Sequence, residues 1–191
     1  MNELELELKL PKDSIKCIFK TGSSMLLTNN RDEDYIIVYS PTESHNENFR
    51  FTYRGKTDYF IYSEDAYREI LNFNIGPSYC SNIAVISLVI CKPILNELNL
   101  QLDLFNNVEK YKDTLRYACE ISLLNTNVIW EGHENYCSKN LWFVILGLMM
   151  IENNSYEVTP EMKEIAQKCH DGCLPKSWED WVKERLYTDN K

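Results

Sequence analysis

The chain opens on a strict alternation of leucine and charge. Residues 3–10 read ELELELKL, and Pro11 closes the run. Period two predicts a half-buried strand with Leu4, Leu6, Leu8 and Leu10 on its inner side. Helix competes, because Glu and Leu are both good helix formers. Residues 15–20, IKCIFK, predict a second strand, which runs into the small-residue turn Gly22-Ser23-Ser24. A short helix is expected over residues 23–29, closed by Asn29-Asn30, and a strand over residues 34–39. Residues 40–50 are polar and read as a loop, with His45 a solvent-exposed loop residue. Strand-forming residues then flank a turn at Arg54-Gly55-Lys56. Ser63 is placed to cap a helix whose apolar face is Tyr67, Ile70 and Leu71, stopped by Asn74-Ile75-Gly76-Pro77.

From Tyr79 onward the periodicity is helical. Residues 80–91, 93–104, 107–125 and 138–152 lack sustained alternation, and Tyr111, Leu115, Ala118, Cys119 and Ser122 recur at helical spacing. Thr159 and Pro160 open a further helix as N-cap and first helical residue, ending near Gly172. Ser177 opens the last, with Trp178, Trp181 and Leu186 on its docking side. The expected fold is α/β of the α+β kind. A small mixed sheet occupies residues 1–78, and a helical region packed on it occupies residues 79–191.

Composition narrows the function. The formal charge of −9 argues against non-specific coating of DNA or RNA, which relies on Lys and Arg against phosphate. The apolar runs at residues 83–91 and 141–151 are too short to cross a bilayer. Met1-Asn2-Glu3 is not the basic start of a secretory signal. Seven scattered cysteines then read as reduced thiols in a cytoplasmic protein. Cys169-His170-x-x-Cys173 has zinc-like spacing but no second pair to complete it.

Candidate chemistry gathers between Gly22 and Tyr39. Side chains at i and i+2 on a strand share a face, so Asp32 and Asp34 are expected to project together and Glu33 away from them. Paired carboxylates suit Mg²⁺, which takes one or two carboxylates plus substrate phosphates. The Gly22-Ser23-Ser24 turn lets phosphate approach the backbone closely. A phosphate seat beside a metal seat is the minimum for phosphoryl or nucleotidyl transfer.

Gly22-Ser23, eight residues, then Asp32-x-Asp34 leading into Tyr35-Ile36-Ile37-Val38-Tyr39 resembles the signature of the DNA polymerase beta-like nucleotidyltransferase superfamily. The likeness covers about residues 15–39. The resemblance implies an enzyme that moves NMP from an NTP to a hydroxyl acceptor. It implies Gly22, Ser23 and Ser24 at the phosphates, and two Mg²⁺ ions on Asp32, Asp34 and a third carboxylate from a following strand. Asp58 is the residue at that third position, and Tyr59-Phe60-Ile61-Tyr62-Ser63 resembles the corresponding strand of bacterial and phage relatives. Lys112 and Arg116, beside Lys110 on a helical segment, read by default as a solvated face and functionally as a triphosphate clamp. The acceptor class stays open among proteins, small molecules, RNA ends and nucleotides. The alternative is a nucleotidyltransferase fold that binds nucleotide or a protein partner without turnover. Met25-Leu26-Leu27, where many relatives carry a second glycine, and Arg31, where many carry Ser, favour that alternative.

Overall fold

The structure, a computed structural model, describes residues 3–27, 32–74, 90–119, 136–171 and 173–187. Within it lie β1 (Ile15–Thr21), β2 (Glu33–Tyr39), β3 (Phe49–Arg54), β4 (Thr57–Ser63) and β5 (Lys92–Asn96). The helices are α1 (Glu3–Glu7), α2 (Glu64–Leu71), α3 (Val108–Cys119), α4 (Tyr136–Asn153), α5 (Pro160–His170) and α6 (Ser177–Tyr187). The fold is α+β. Two compact units form: one takes Met1–Asn74 and Ile90–Leu102, the other Ile75–Val89 and Asp103–Lys191.

The first unit is built on a five-stranded mixed sheet in the order β3-β4-β2-β1-β5. β2 pairs antiparallel with β1 and parallel with β4. Its Ile36, Ile37, Val38 and Tyr39 are all buried, as expected of a strand covered on both faces. On one face Ile37, Tyr39, Ile15 and Ile61 pack with Leu8 and Leu10 from the N-terminal segment. On the other face Tyr67 of α2 stacks on Phe19, with ring centroids 5.8 Å apart, and meets Tyr62 at 5.7 Å. Ser63 caps α2 as its sequence predicts, its hydroxyl accepting the Ala66 N–H at 3.3 Å.

Two segments differ from the sequence expectation. The ELELELKL run is helical over Glu3–Glu7, not a strand. Leu4 and Leu8 then lie one turn apart on the inner side, while Leu6 is 63% exposed. Glu5, buried to 2%, gives the reason: its Oε1 accepts the Ile15 N–H at 3.3 Å, a contact that supplies a partner to a buried donor at the start of β1. The turn that follows the helix passes through Lys9, whose φ of 55° is left-handed. The second segment is residues 93–104, read as helical. Lys92–Asn96 instead forms the edge strand β5 against β1, and Pro93 is tolerated there because an edge strand need not donate every N–H. Asn96 secures the strand's exit, its Oδ1 accepting the Leu100 N–H and its Nδ2 donating to the Leu100 carbonyl, both at 2.9 Å. The expected helix over residues 80–91 falls mostly outside the described residues.

The second unit is organised by α4. Leu141, Trp142, Val144, Ile145, Leu146, Leu148, Met149 and Met150 are all buried, so the helix is apolar on every side, as a central core helix must be. Helices α3, α5 and α6 all pack against it. Tyr111 of α3 lies directly over Gly147, where an added Cβ would meet the Tyr111 hydroxyl at 2.5 Å and its ring at 3.1 Å. Thr159 and Pro160 open α5 as read, the Thr159 Oγ1 accepting the Met162 N–H at 3.2 Å. On α6 the buried residues are Val182 and Leu186, while Trp178 and Trp181 are half-buried.

Two stability measurements follow. Glu5→Ala removes the partner of the Ile15 N–H and should cost about 1–3 kcal/mol, whereas Leu6→Glu should change stability by less than about 0.5 kcal/mol. A strand at residues 3–10 would give the reverse order in denaturant unfolding. Gly147→Ala gains about 1 kcal/mol of helix propensity but overpacks Tyr111, at about 1–3 kcal/mol. The variant should therefore melt below wild type, and Tyr111→Phe, which removes the nearest atom, should recover part of the loss.

Candidate functional site

The candidate residues of the first unit converge where β1 ends and where β2 and β4 begin. β1 hands over to Gly22 directly after Thr21, and Thr21 is the register partner of Asp34 on β2. Asp34 is in turn the register partner of Asp58 on β4. Directly opposed residues on paired strands point to one face, and paired strands lie roughly 4.8 Å apart. Thr21, Asp34 and Asp58 thus form one row across three adjacent strands, on the same face as Phe19, Ile36 and Phe60.

Glu33 points the other way, as the alternation predicts. Its Oε1 accepts from Lys20 Nζ at 2.6 Å and its Oε2 from the Tyr35 hydroxyl at 3.1 Å. Those two hydrogen bonds, Lys20 first, hold the Glu33 carboxyl below the usual carboxylate range, and the bond to Glu33 holds the Lys20 ammonium above its own. This cation and this carboxylate therefore neutralise each other on the face opposite Asp34.

Gly22 meets Asp34 more closely than any side chain would permit. A Cβ on Gly22 would lie 1.7 Å from Asp34 Oδ2, 2.5 Å from its Cγ and 2.8 Å from its Cβ. Rotating the carboxyl group cannot relieve the last of these contacts. The φ of 77° and ψ of −172° at Gly22 also belong to a region essentially confined to glycine. Both constraints select the same residue, and together they press the turn's backbone against the carboxylate. Beyond it, Ser23 is buried and its carbonyl accepts the Leu26 and Leu27 N–H groups at 3.0 and 2.9 Å. The Ser24 hydroxyl donates to the Thr21 carbonyl at 3.3 Å. The helix expected over residues 23–29 is a single 3₁₀ turn, Ser23–Met25; residues 28–31 lie outside the described residues. So short a turn lends little macrodipole to a phosphate seat.

Asp32 stands differently from its two companions. The β2 ladder begins at Glu33, so Asp32 precedes it and is exposed. Among the described residues no group of three or more His, Cys, Asp or Glu side chains is arranged to hold a metal ion. The pair Asp34 and Asp58 suits a cation that takes one or two protein carboxylates and completes its shell with water and phosphate. The Lys56 ammonium makes no ion pair among the described residues.

The two basic candidates belong to the second unit and are engaged inside it. Lys112 pairs with Glu109 at 3.5 Å. Arg116 pairs with Asp113 and donates from Nε to the Leu186 carbonyl at 2.6 Å, tying α3 to the end of α6. His45 is not the exposed loop residue expected. It is half-buried, its ring edge-on to Tyr39 with centroids 5.7 Å apart. The described cysteines Cys17, Cys91, Cys119, Cys169 and Cys173 are all free thiols. Burial pushes the Cys169 thiol up to about 12, which suits a packed core residue; Cys80 and Cys137 carry no described side chain.

Sequence reasoning missed the neighbour on the far side of Asp58. The two-residue turn Gly55-Lys56 pairs Arg54 with Thr57 and hence Tyr53 with Asp58. The signal was present in the glycine, since two-residue hairpin loops place glycine at the left-handed position, and Gly55 has φ 64°. No protein-family model matches the chain, and no curated protein matches it significantly. Among the described residues no helix is long and apolar enough to cross a membrane.

The close approach at Gly22 is directly testable. Gly22→Ala should destabilise the protein by about 1–3 kcal/mol from backbone strain alone, with more from the clash. Combining it with Asp34→Ala should remove the clash but not the strain. Denaturant unfolding of the two single variants and the double should therefore show coupling of at least about 0.5 kcal/mol; strict additivity would mean that the two residues do not touch.

Proposed function

We propose that the protein is a metal-dependent nucleotidyltransferase that moves NMP from an NTP to a hydroxyl acceptor. The observation that carries this reading is the row Asp34–Asp58, with the Gly22 backbone pressed against the Asp34 carboxylate. It sets a glycine turn of the kind that can take phosphate beside two carboxylates on one face, the minimum for this chemistry. The resemblance of Gly22-Ser23 and Asp32-x-Asp34 to the DNA polymerase beta-like superfamily supports the same reading.

Asp34 and Asp58 are the residues that would hold Mg²⁺, with Asp32 as the third carboxylate in the two-ion arrangement that the resemblance implies. When bound, the cation supplies charge neutralisation for the triphosphate and the developing pyrophosphate. The chain's own groups do the rest. The Gly22-Ser23-Ser24 turn orients the β- and γ-phosphates. The acceptor oxygen bonds to the α-phosphorus, the bond from that phosphorus to the pyrophosphate oxygen breaks, and the hydroxyl proton passes to Asp58. Asp58 lies across Asp34 from the turn, so acceptor and leaving group approach from opposite sides, as in-line transfer requires.

Asp58→Asn should lower nucleotide incorporation by 10²-fold or more while NTP affinity stays within a few-fold, because Asp34 remains. The metal-free protein should melt no lower than wild type, since the substitution removes one of two neighbouring like charges. Incorporation at the wild-type rate would remove Asp58 from the reaction. NTP binding by the wild type without any incorporation would favour the non-catalytic alternative.

A further inference from the structure

The row of carboxylates does not end at Asp58. Tyr53 on the edge strand β3 is its register partner, and Phe51 is the partner of Phe60. Tyr53 and Phe51 therefore share the face that carries Asp34 and Asp58. Both are unusually open for large apolar residues, at 56% and 49% exposure. Phe51 is braced by Phe60 on the neighbouring strand, with ring centroids 5.3 Å apart. The turn of the same hairpin supplies Lys56, exposed and in no ion pair among the described residues, while Arg54 falls in register with Thr57 and Glu33 on the opposite face. The Lys56 carbonyl accepts the Glu33 N–H at 2.9 Å, which fixes this turn to the start of β2.

Exposed rings beside an unpaired cation make a surface for a flat, anionic molecule. Rings stack on the π-face of a base, and the cation meets its phosphate. Position decides which molecule. The phosphate turn at Gly22 lies on one side of Asp34, and Tyr53 lies on the other, beyond Asp58. In-line transfer sends the leaving group toward the turn and brings the acceptor from the opposite side.

We propose that Tyr53 and Phe51 form an acceptor platform, and that the acceptor is a nucleotide unit. Its base stacks on the two rings, its phosphate meets Lys56, and its hydroxyl reaches Asp58. The inference rests on the transferase reading for its direction but not for its binding surface. A free nucleotide and the end of a short oligonucleotide present the same chemistry.

The test separates binding from turnover. AMP and the dinucleotide ApA are titrated calorimetrically, with chelator present, into wild type, Tyr53→Ala, Tyr53→Phe and Asp34→Asn. Tyr53→Ala should weaken binding about five-fold or more, since stacking contributes about 1–3 kcal/mol per base. Tyr53→Phe should bind as wild type, and Asp34→Asn should bind no more weakly. Tighter binding of ApA than AMP would assign the platform to an oligonucleotide end, and equal binding to a free nucleotide. No binding of either probe, or equal binding by Tyr53→Ala, overturns the platform. Incorporation is then measured with NTP, Mg²⁺ and each probe as acceptor. Tyr53-dependent binding without incorporation keeps the platform and removes the transferase. Incorporation with a KM for acceptor unchanged in Tyr53→Ala removes the platform and keeps the transferase.

Discussion

Everything in the first unit depends on β2 being bonded along both edges. Its parallel ladder to β4 aligns Asp34 with Asp58, and its antiparallel ladder to β1 aligns Asp34 with Thr21 and so brings Gly22 alongside. A one-residue slip in either ladder would turn one partner to the opposite face. The apolar residues prevent that slip. Ile37 and Tyr39 belong to the cluster with Leu8 and Leu10, while Ile36 and Val38 fill the other face. With both faces packed, a shifted register would have to refit both sides of the core at once. The position of two charged groups at the strand's start is thus set by four apolar residues further along it.

The site was legible where local rules act alone. Alternation separated Asp34 from Glu33, and the structure shows Glu33 occupied by Lys20 and Tyr35 on the opposite face. The glycine before Ser23 was legible as a turn, though not as a residue whose missing Cβ is replaced by a carboxylate, because that contact is made across strands. The N-terminal helix was misread because alternation of Leu and Glu fits two structures, and the choice is made by Glu5 reaching residue 15. That contact spans ten residues and leaves no trace in the period of the Leu and Glu pattern. β5 was misread for a related reason: only pairing with β1 makes Lys92–Asn96 a strand. Tyr53 was overlooked because its importance comes from register, which the hairpin turn fixes two residues away.

The second unit illustrates a different constraint. Its central helix cannot be amphipathic, because three helices surround it, so its sequence carries almost no periodic signal and reads simply as apolar. Gly147 is then a packing residue. Its missing side chain is the space that the buried ring of Tyr111 fills. Glycine and ring fit as hole and knob. Burial carries the Tyr111 hydroxyl well above the ordinary phenol range.

Electrostatics bears on how a chain of net charge −9 could handle a triphosphate. The cations flagged on α3 are already used: Arg116 holds the Leu186 carbonyl and Asp113, and Lys112 holds Glu109. Lys20, one residue before Thr21, is turned to the opposite face and neutralised by Glu33. Lys56 remains beside the row, in the hairpin turn that leads to Asp58. One cation at the end of the row cannot draw in an extended polyanion, whose affinity grows with each neutralised phosphate. It can orient one phosphate arriving beside the carboxylates. Such an end of the row favours a small phosphorylated molecule or a chain end over a nucleic-acid duplex.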